Sequence, residues 1–190
     1  MKLHYAGKYS GNPDDLPYLE HEPGAVMFKE VGDANKFSNI VTTLSIVIMA
    51  VGFIICWIRA KDIFFSYGSI LLYVLTIIPH ELLHAICFKD DVYLYQDLAH
   101  GMFFIVGPER MSKARSIFKS LLPSIVLGFI PFIIFMINPN LQILGTLGVM
   151  GIASAAGDFY NAYNTFTQVP KGGWVYMHKY DTYWYMPEKS

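Results

Sequence analysis

The segment His80-Glu81-Leu82-Leu83-His84 places three ionisable side chains inside Ile63 to Phe88, a run otherwise long and apolar enough to cross a bilayer. Ionisable groups are costly in hydrocarbon, and those found there are read as functional by default. On a helix, residues four apart lie about one turn apart on the same face, so His80 and His84 can offer imidazole nitrogens to one metal ion. Zinc accepts neutral nitrogen or carboxylate ligands and, for hydrolysis, keeps one position for water, whose pKa it lowers to roughly 7. Glu81, beside the first histidine, is the natural base for that water's proton. Pro79 immediately precedes the motif; it either kinks the helix toward a cavity or is an ordinary tolerated membrane proline.

Composition agrees with a membrane setting. Of 190 residues, 54% are hydrophobic and only 15% are charged, against about 25% charged in soluble domains. One small integral membrane domain is expected. With 14 basic and 15 acidic residues, and no basic run or RNA-type aromatic motif, nothing points to nucleic acid. Cys56 and Cys87 fall near the ends of different apolar runs, on opposite predicted membrane faces, which argues against a disulfide. Met1 to Ser38 lacks a basic region followed by an apolar core, so it reads as an extramembrane arm and not as a cleavable signal.

The predicted fold class is an all-α membrane protein with about four transmembrane helices and a small β-hairpin loop between the second and third. Asn39 to Ile58 is twenty residues without a charge, enough for one span. Arg59-Ala60-Lys61-Asp62 turns the chain, and Ile63 to Phe88 is the second span. Val92 to Val106 holds two β-branched or aromatic runs around Leu98-Ala99-His100-Gly101, the pattern of a hairpin. Glu109 to Lys119 is polar and basic and is expected at the interface. It leads into a third span, Ser120 to Ile137, which contains Pro123 and Pro131. Asn138-Pro139-Asn140 marks a turn, and Leu141 to about Phe166 is the fourth segment.

That segment carries Gly145, Gly148, Gly151, Ser154 and Gly157 at three-residue spacing, one inclined ridge that predicts close approach of another helix. Just beyond it come Asp158, Asn161 and Asn164. Asp158 is the best candidate for a third metal ligand. If the second and fourth segments start on one membrane face at Ile63 and Leu141, His80 and Asp158 lie equally deep, roughly 25 Å along each helix. Lysine and arginine number four in the N-terminal arm, five from Lys89 to Lys119 and three in the tail, with only Arg59 and Lys61 on the other side. By the positive-inside tendency both termini are cytoplasmic and the protein is a multi-pass component of the cell membrane.

Other donors fit less well. Cys87 lies about 10 Å along the axis from His80 and reads as a packed small hydrophobe. His100, Asp90, Asp91, Asp97 and Glu109 sit in the loop, where solvated charge is the usual state. His4, His21 and His178 have no partner spacing. Asn161 and Asn164 read either as donors to an oxyanion or as helix-end polar groups. The aromatic tail from Thr167 to Ser190 suits anchoring at the membrane interface.

A membrane-embedded His-Glu-x-x-His followed by an aspartate after small residues resembles the site-2 protease type of intramembrane metalloprotease. More closely, the chain resembles the small bacterial family described as putative zincin peptidases, over most of its length, including Gly157-Asp158-Phe159-Tyr160-Asn161. The resemblance implies Zn2+ held by His80, His84 and Asp158, with Glu81 as catalytic acid/base. Two features depart from the site-2 pattern: Gly157-Asp158 stands where Asp-Gly is typical, and there is no room for a PDZ domain. The expected organisation is a cytoplasmic arm (1–38), a membrane-embedded metallopeptidase domain (39–166) and a cytoplasmic aromatic-rich tail (167–190). Three readings compete. The first is an endopeptidase cutting a membrane-protein substrate in or near a transmembrane segment within the lipid bilayer, with the hairpin's edge strand as a peptide grip or a mere connector. The second is a metal or proton transporter, for which a continuous polar pathway is lacking. The third is an inactive metal-binding scaffold, against which Glu81 argues, since a structural site has no need of it. Substrate and oligomeric state are not legible.

Overall fold

The computed structural model describes residues 1–30, 34–61, 67–97 and 101–188. Two compact units emerge: Val31–His80 with Leu121–Tyr160, and Met1–Glu30 with Glu81–Ser120 and Asn161–Ser190.

The first unit is apolar and helical. Helix α1 (Ala34–Ala60) ends where Lys61 takes a left-handed conformation, φ 54°. Helices α2 (Tyr67–Leu75) and α3 (Ile77–Ala85) come next, and the unit includes α3 as far as His80. The predicted second span begins at Ile63, and residues 62–66 lie outside the described residues. The interruption between α2 and α3 falls at Thr76. Pro79 cannot donate to the Leu75 carbonyl four residues back, and Thr76 instead closes a tight turn, its N–H and hydroxyl both donating to the Tyr73 carbonyl at 2.8 and 2.6 Å.

Helix α4 (Lys113–Pro123) runs through a π-helical segment, Ser124–Phe129, into α5 (Ile130–Ile137). Of the stretch Glu109 to Lys119 expected at the interface, Lys113 to Lys119 forms the first turns of one long helix, whereas Met111–Ser112 is a short strand. A turn comes next, in which Asn138 accepts the Asn140 N–H at 3.2 Å. The last segment is broken at Ala155 into α6 (Gln142–Ser154) and α7 (Ala156–Gln168), bent by 49°.

The glycine ridge works at three of its positions. A Cβ on Gly145 would lie 2.8 Å from the Phe135 ring, and one on Gly148 would lie 2.6 Å from the Phe132 backbone nitrogen. A Cβ on Gly151 would collide with the Leu127 carbonyl oxygen. That carbonyl belongs to the π-helical segment, so the missing side chain of Gly151 lets α6 approach its backbone closely. A Cβ on Gly157, by contrast, would meet nothing within 4 Å beyond its own turn of helix. On the other side of α6, Val149 packs against Gly52 of α1, in a buried cluster with Cys56 and Phe135.

Among the described residues, Asn35–Ala60, Gly68–Ala85 and Lys113–Ile137 are helices long and apolar enough to cross a membrane, with α6 and α7 a fourth if the bent pair is one span. Large side chains such as Trp57 and Ile58 are 57% and 64% exposed, an outer surface that suits a membrane protein.

The second unit overturns the all-α expectation. Of the described residues, 55% are helical and 18% lie in seven strands that form two β-sheets. Strand β1 (Leu3–Lys8) pairs in parallel with β3 (Val92–Asp97), which pairs antiparallel with β4 (Met102–Val106). The hairpin Val92 to Val106 therefore forms in register, while Leu98, Ala99 and His100 of its turn lie outside the described residues. The second sheet runs β2 (Val26–Met27), β7 (Asp181–Tyr185), β6 (Trp174–His178), β5 (Met111–Ser112). The arm and the tail thus supply strands. The arm strands β1 and β2 find partners roughly ninety and one hundred and sixty residues away in sequence, and β1 shows no clean alternation, so local patterning did not reveal them; the tail strands β6 and β7 pair with each other as a local hairpin inside the stretch read as an aromatic anchor.

Several loop groups read as solvated or partnerless are tied down. His4 pairs with Asp91 at 2.9 Å, and Asp91 also accepts the Lys2 N–H at 2.8 Å. The bond from His4, with that backbone bond, holds the Asp91 carboxyl below its ordinary value. His21 stacks on His178, centroids 4.2 Å apart. Tyr9 meets Phe104 and Tyr180 edge-on, and burial, ahead of the pressure from neighbouring Tyr9, pushes the Tyr180 phenol up to about 12. Cys56 and Cys87 are free thiols.

Candidate metal centre

Helix α3 exists because Ile77, Ile78, Leu82, Leu83 and Ala85 continue helically once Thr76 has reset the register. Leu82 and Ile86 are 38% and 60% exposed, whereas His80, Glu81 and His84 are all partly buried. The four-residue spacing therefore turns both histidines away from the apolar outer face. Along the helix, one ligand atom from each of His80, Glu81 and His84 lies within 4.8 Å of the others.

Each histidine is oriented by a different neighbour. In the helical unit, His80 Nε2 stands 3.1 Å from Asp158 Oδ2, the two side chains 19% and 16% exposed. Sequence depth predicted that meeting. Asp158 lies in the first turn of α7, directly after the bend at Ala155, so the break in the fourth segment sets where the carboxylate points. In the mixed unit, His84 Nδ1 lies 2.9 Å from the Lys119 carbonyl oxygen. A carbonyl only accepts, so Nδ1 carries a proton; in the neutral imidazole Nε2 then holds the lone pair, the tautomer a metal ligand requires.

The donor set suits zinc. Two imidazoles and a carboxylate are ordinary zinc ligands, and tetrahedral bonds of about 2.0–2.2 Å place donor atoms roughly 3.3 Å apart. The His80–Asp158 pair is already that close. Its hydrogen bond would give up its proton before both atoms could donate to one cation. The three-residue donor group among the described residues consists of His80, Glu81 and His84 and does not include Asp158, so ligand and base are separated here by chemistry: a residue adjacent to His80 on the same helix suits reaction with water beside the ion.

Of the remaining candidates, Asn164 is buried and its Oδ1 accepts from Gln168 at 3.2 Å, a helix-end role. Glu109, expected to be solvated, is the loop residue most changed by the structure. Its side chain is 5% exposed and its Oε1 lies 2.5 Å from Arg115 Nη1. Burial alone would raise its carboxyl, but the Arg115 bond and the Asp90 and Lys89 backbone N–H groups outweigh that and hold it below its ordinary 4.5. The Lys119 carbonyl could not have been found by scanning side chains, because a backbone acceptor leaves no signal in residue identity.

The family model described as putative zincin peptidase matches residues 73–174, more than half of the chain and inclusive of the HExxH helix and Asp158. The chain belongs to that family. No curated protein and no solved structure matches it. The family points to zinc-dependent metallopeptidase chemistry, a hydrolase activity, and the His80, Glu81 and His84 group is the feature of the structure that answers to it.

Proposed function

We propose that this zincin-family chain is an intramembrane endopeptidase, with zinc held by His80, His84 and Asp158. The observation that carries the reading is the His80–Asp158 approach at 3.1 Å, which joins the HExxH helix to an acidic residue on a second apolar segment. Bound there, zinc would supply Lewis acidity, lowering the pKa of water to about 7 and polarising a peptide carbonyl. The Glu81 carboxylate takes the proton of the attacking water as oxygen adds to the carbonyl carbon. It returns that proton to the amine nitrogen as the C–N bond breaks, so one carboxyl serves as base and then acid. The Lys119 carbonyl keeps the His84 ring from rotating through both steps.

The substrate of this proposal is a membrane protein cut near the cytoplasmic end of a transmembrane segment. Both termini are cytoplasmic, the arm 1–38 and tail 167–190 flank the embedded segment 39–166, and Arg59 and Lys61 face outward. Strand β4 stands at a sheet edge, and its backbone groups suit an extended peptide.

The test compares two substitutions in purified protein and in membranes. Glu81→Gln should keep about one zinc per chain and lose cleavage of a membrane-spanning substrate by at least two orders of magnitude. His80→Ala should lose most of the zinc as well as the activity. Cleavage at the wild-type rate by Glu81→Gln, or unchanged zinc in His80→Ala, defeats the proposal; metal flux without any proteolysis in the parent protein would favour a transporter. Tags at residues 1 and 190 should be inaccessible from outside, and a tag beside Lys61 accessible.

A further inference from the structure

His84 sits in the last turn of α3, where helices fray and carbonyls lack intrahelical partners. No glycine closes this end: after Ala85 the chain makes two tight turns, Cys87 N–H to His84 O at 3.1 Å and Phe88 N–H to Ala85 O at 2.9 Å. One buried pair grips the stretch from Cys87 to Asp90 on both sides. Arg115 Nε donates to the Cys87 carbonyl at 2.7 Å, while Glu109 Oε2 accepts the N–H groups of Lys89 at 2.6 Å and Asp90 at 3.1 Å. The pair is joined internally through Arg115 Nη1 and Glu109 Oε1 at 2.5 Å. A cation at a helix C-terminus also complements the helix dipole. The Phe88 side chain adds a steric lock, because it lies so close to Gly107 that any Cβ there would collide with its ring.

Arg115 and Lys119 are one turn apart on α4. The same helix that holds the end of α3 through the Arg115 guanidinium therefore holds the His84 imidazole through the Lys119 carbonyl. From this geometry we infer that Glu109 and Arg115 are positioning residues for His84: by fixing residues 87–90 against α4 they set the rotation of α3 at which Lys119 receives Nδ1 and Nε2 stays the lone-pair nitrogen. Neither residue touches the reacting atoms. The planar guanidinium is required because it serves a carbonyl and a carboxylate at once in fixed directions, which an ammonium does not reproduce. The inference rests on the reading of His84 as a metal ligand.

The experiment uses the full chain in detergent, with zinc itself as the probe. Nitrogen-15 spectra of histidine-labelled metal-free protein report the His84 tautomer, and competition with a chelator reports zinc affinity. Glu109→Gln and Arg115→Lys should each mix the two tautomers of His84 and weaken zinc by about 10–100-fold. Val175→Ala, in the buried core of β6, serves as a control: it should lower the melting temperature while leaving tautomer and affinity unchanged. Glu109→Gln retains an acceptor for the two backbone N–H groups, so it carries the test should Arg115→Lys fail to fold. Wild-type tautomer and affinity in Glu109→Gln would overturn the inference, as would equal losses in Val175→Ala. Wild-type protein that binds no zinc would defeat the ligand reading, and the tautomer in metal-free protein would still decide the positioning role.

Discussion

The two units of this chain are held together by opposite means. In Val31–His80 with Leu121–Tyr160, helices approach because side chains are missing: Gly145, Gly148 and Gly151 let α6 lie against the backbone of the π-helical segment and α5. In Met1–Glu30 with Glu81–Ser120 and Asn161–Ser190, strands and loops are tied by charged groups, among them Glu109–Arg115 and the Lys113 ammonium, which donates to the Phe166 and Val169 carbonyls at 2.7 and 2.5 Å. Where the surroundings are hydrocarbon, burial of apolar surface gives helices little reason to associate, so shape decides. Where backbone must turn and pair, each buried polar group needs a partner, so chemistry decides.

If that contrast is right, the largest stability loss should come from breaking the charged grip. Glu109→Ala would strand a partly buried guanidinium and two backbone N–H groups together. The cost should be roughly 3 kcal/mol, the low end for a buried pair because Arg115 stays partly solvated. Chemical or thermal unfolding in detergent measures it, and a loss below about 1 kcal/mol would mean the pair is a surface contact in energetic terms.

The shape-governed unit should respond next most strongly to an added side chain. Gly148→Val forces a branched side chain against the Phe132 backbone, which cannot retreat as a flexible side chain can. About 2 kcal/mol of destabilisation is expected, typical of overpacking. Gly157→Ala, with nothing within 4 Å, should cost nothing and even gain slightly from helix propensity. Equal effects at the two glycines would remove the steric account of the ridge.

The same contrast explains what could be read in advance. The long apolar helices, the glycine ridge and the approach of His80 to Asp158 come from local spacing, and local spacing is what a sequence displays. The arm strands did not announce themselves, because Leu3 finds Val92 and Val26 finds Trp184 across most of the chain; the tail hairpin from Trp174 to Tyr185 is local, and its Trp and Tyr residues were read as interface anchors instead. Glu109 looked solvated for a similar reason: its burial depends on Arg115 and on the turn at Lys89, and neither is visible from its immediate neighbours. Of the candidate metal centre, the approach of His80 to Asp158 was legible and the Lys119 backbone acceptor was not.

Acid should separate the units further. The Glu109 carboxyl is lowered from 4.5 in the folded protein, so its contribution is fully present above the unfolded value. It is lost as pH falls below about 4.5 and through the folded value. Stability of the wild type should therefore decline more steeply on acidification than that of Glu109→Gln. Parallel pH profiles for the two proteins would show that this carboxyl is not titrating against the fold.

The smallest expected effect has the opposite sign. Thr146 in α6 is fully buried, and its hydroxyl has no hydrogen-bond partner among the described residues. A hydroxyl left unbonded in an apolar interior is a net cost, about 1–3 kcal/mol by protein substitution data. Thr146→Val keeps the branched shape, leaves helix propensity nearly unchanged and removes that cost. A gain of about 1 kcal/mol is expected, read as increased resistance to unfolding in detergent. In the charged unit the deletion of a polar group destabilises; here it should do the reverse, because nothing is left unpaired when the hydroxyl goes. A loss of stability in Thr146→Val would mean that this buried hydroxyl is hydrogen-bonded after all, and that the helical unit depends on polar contacts as its counterpart does.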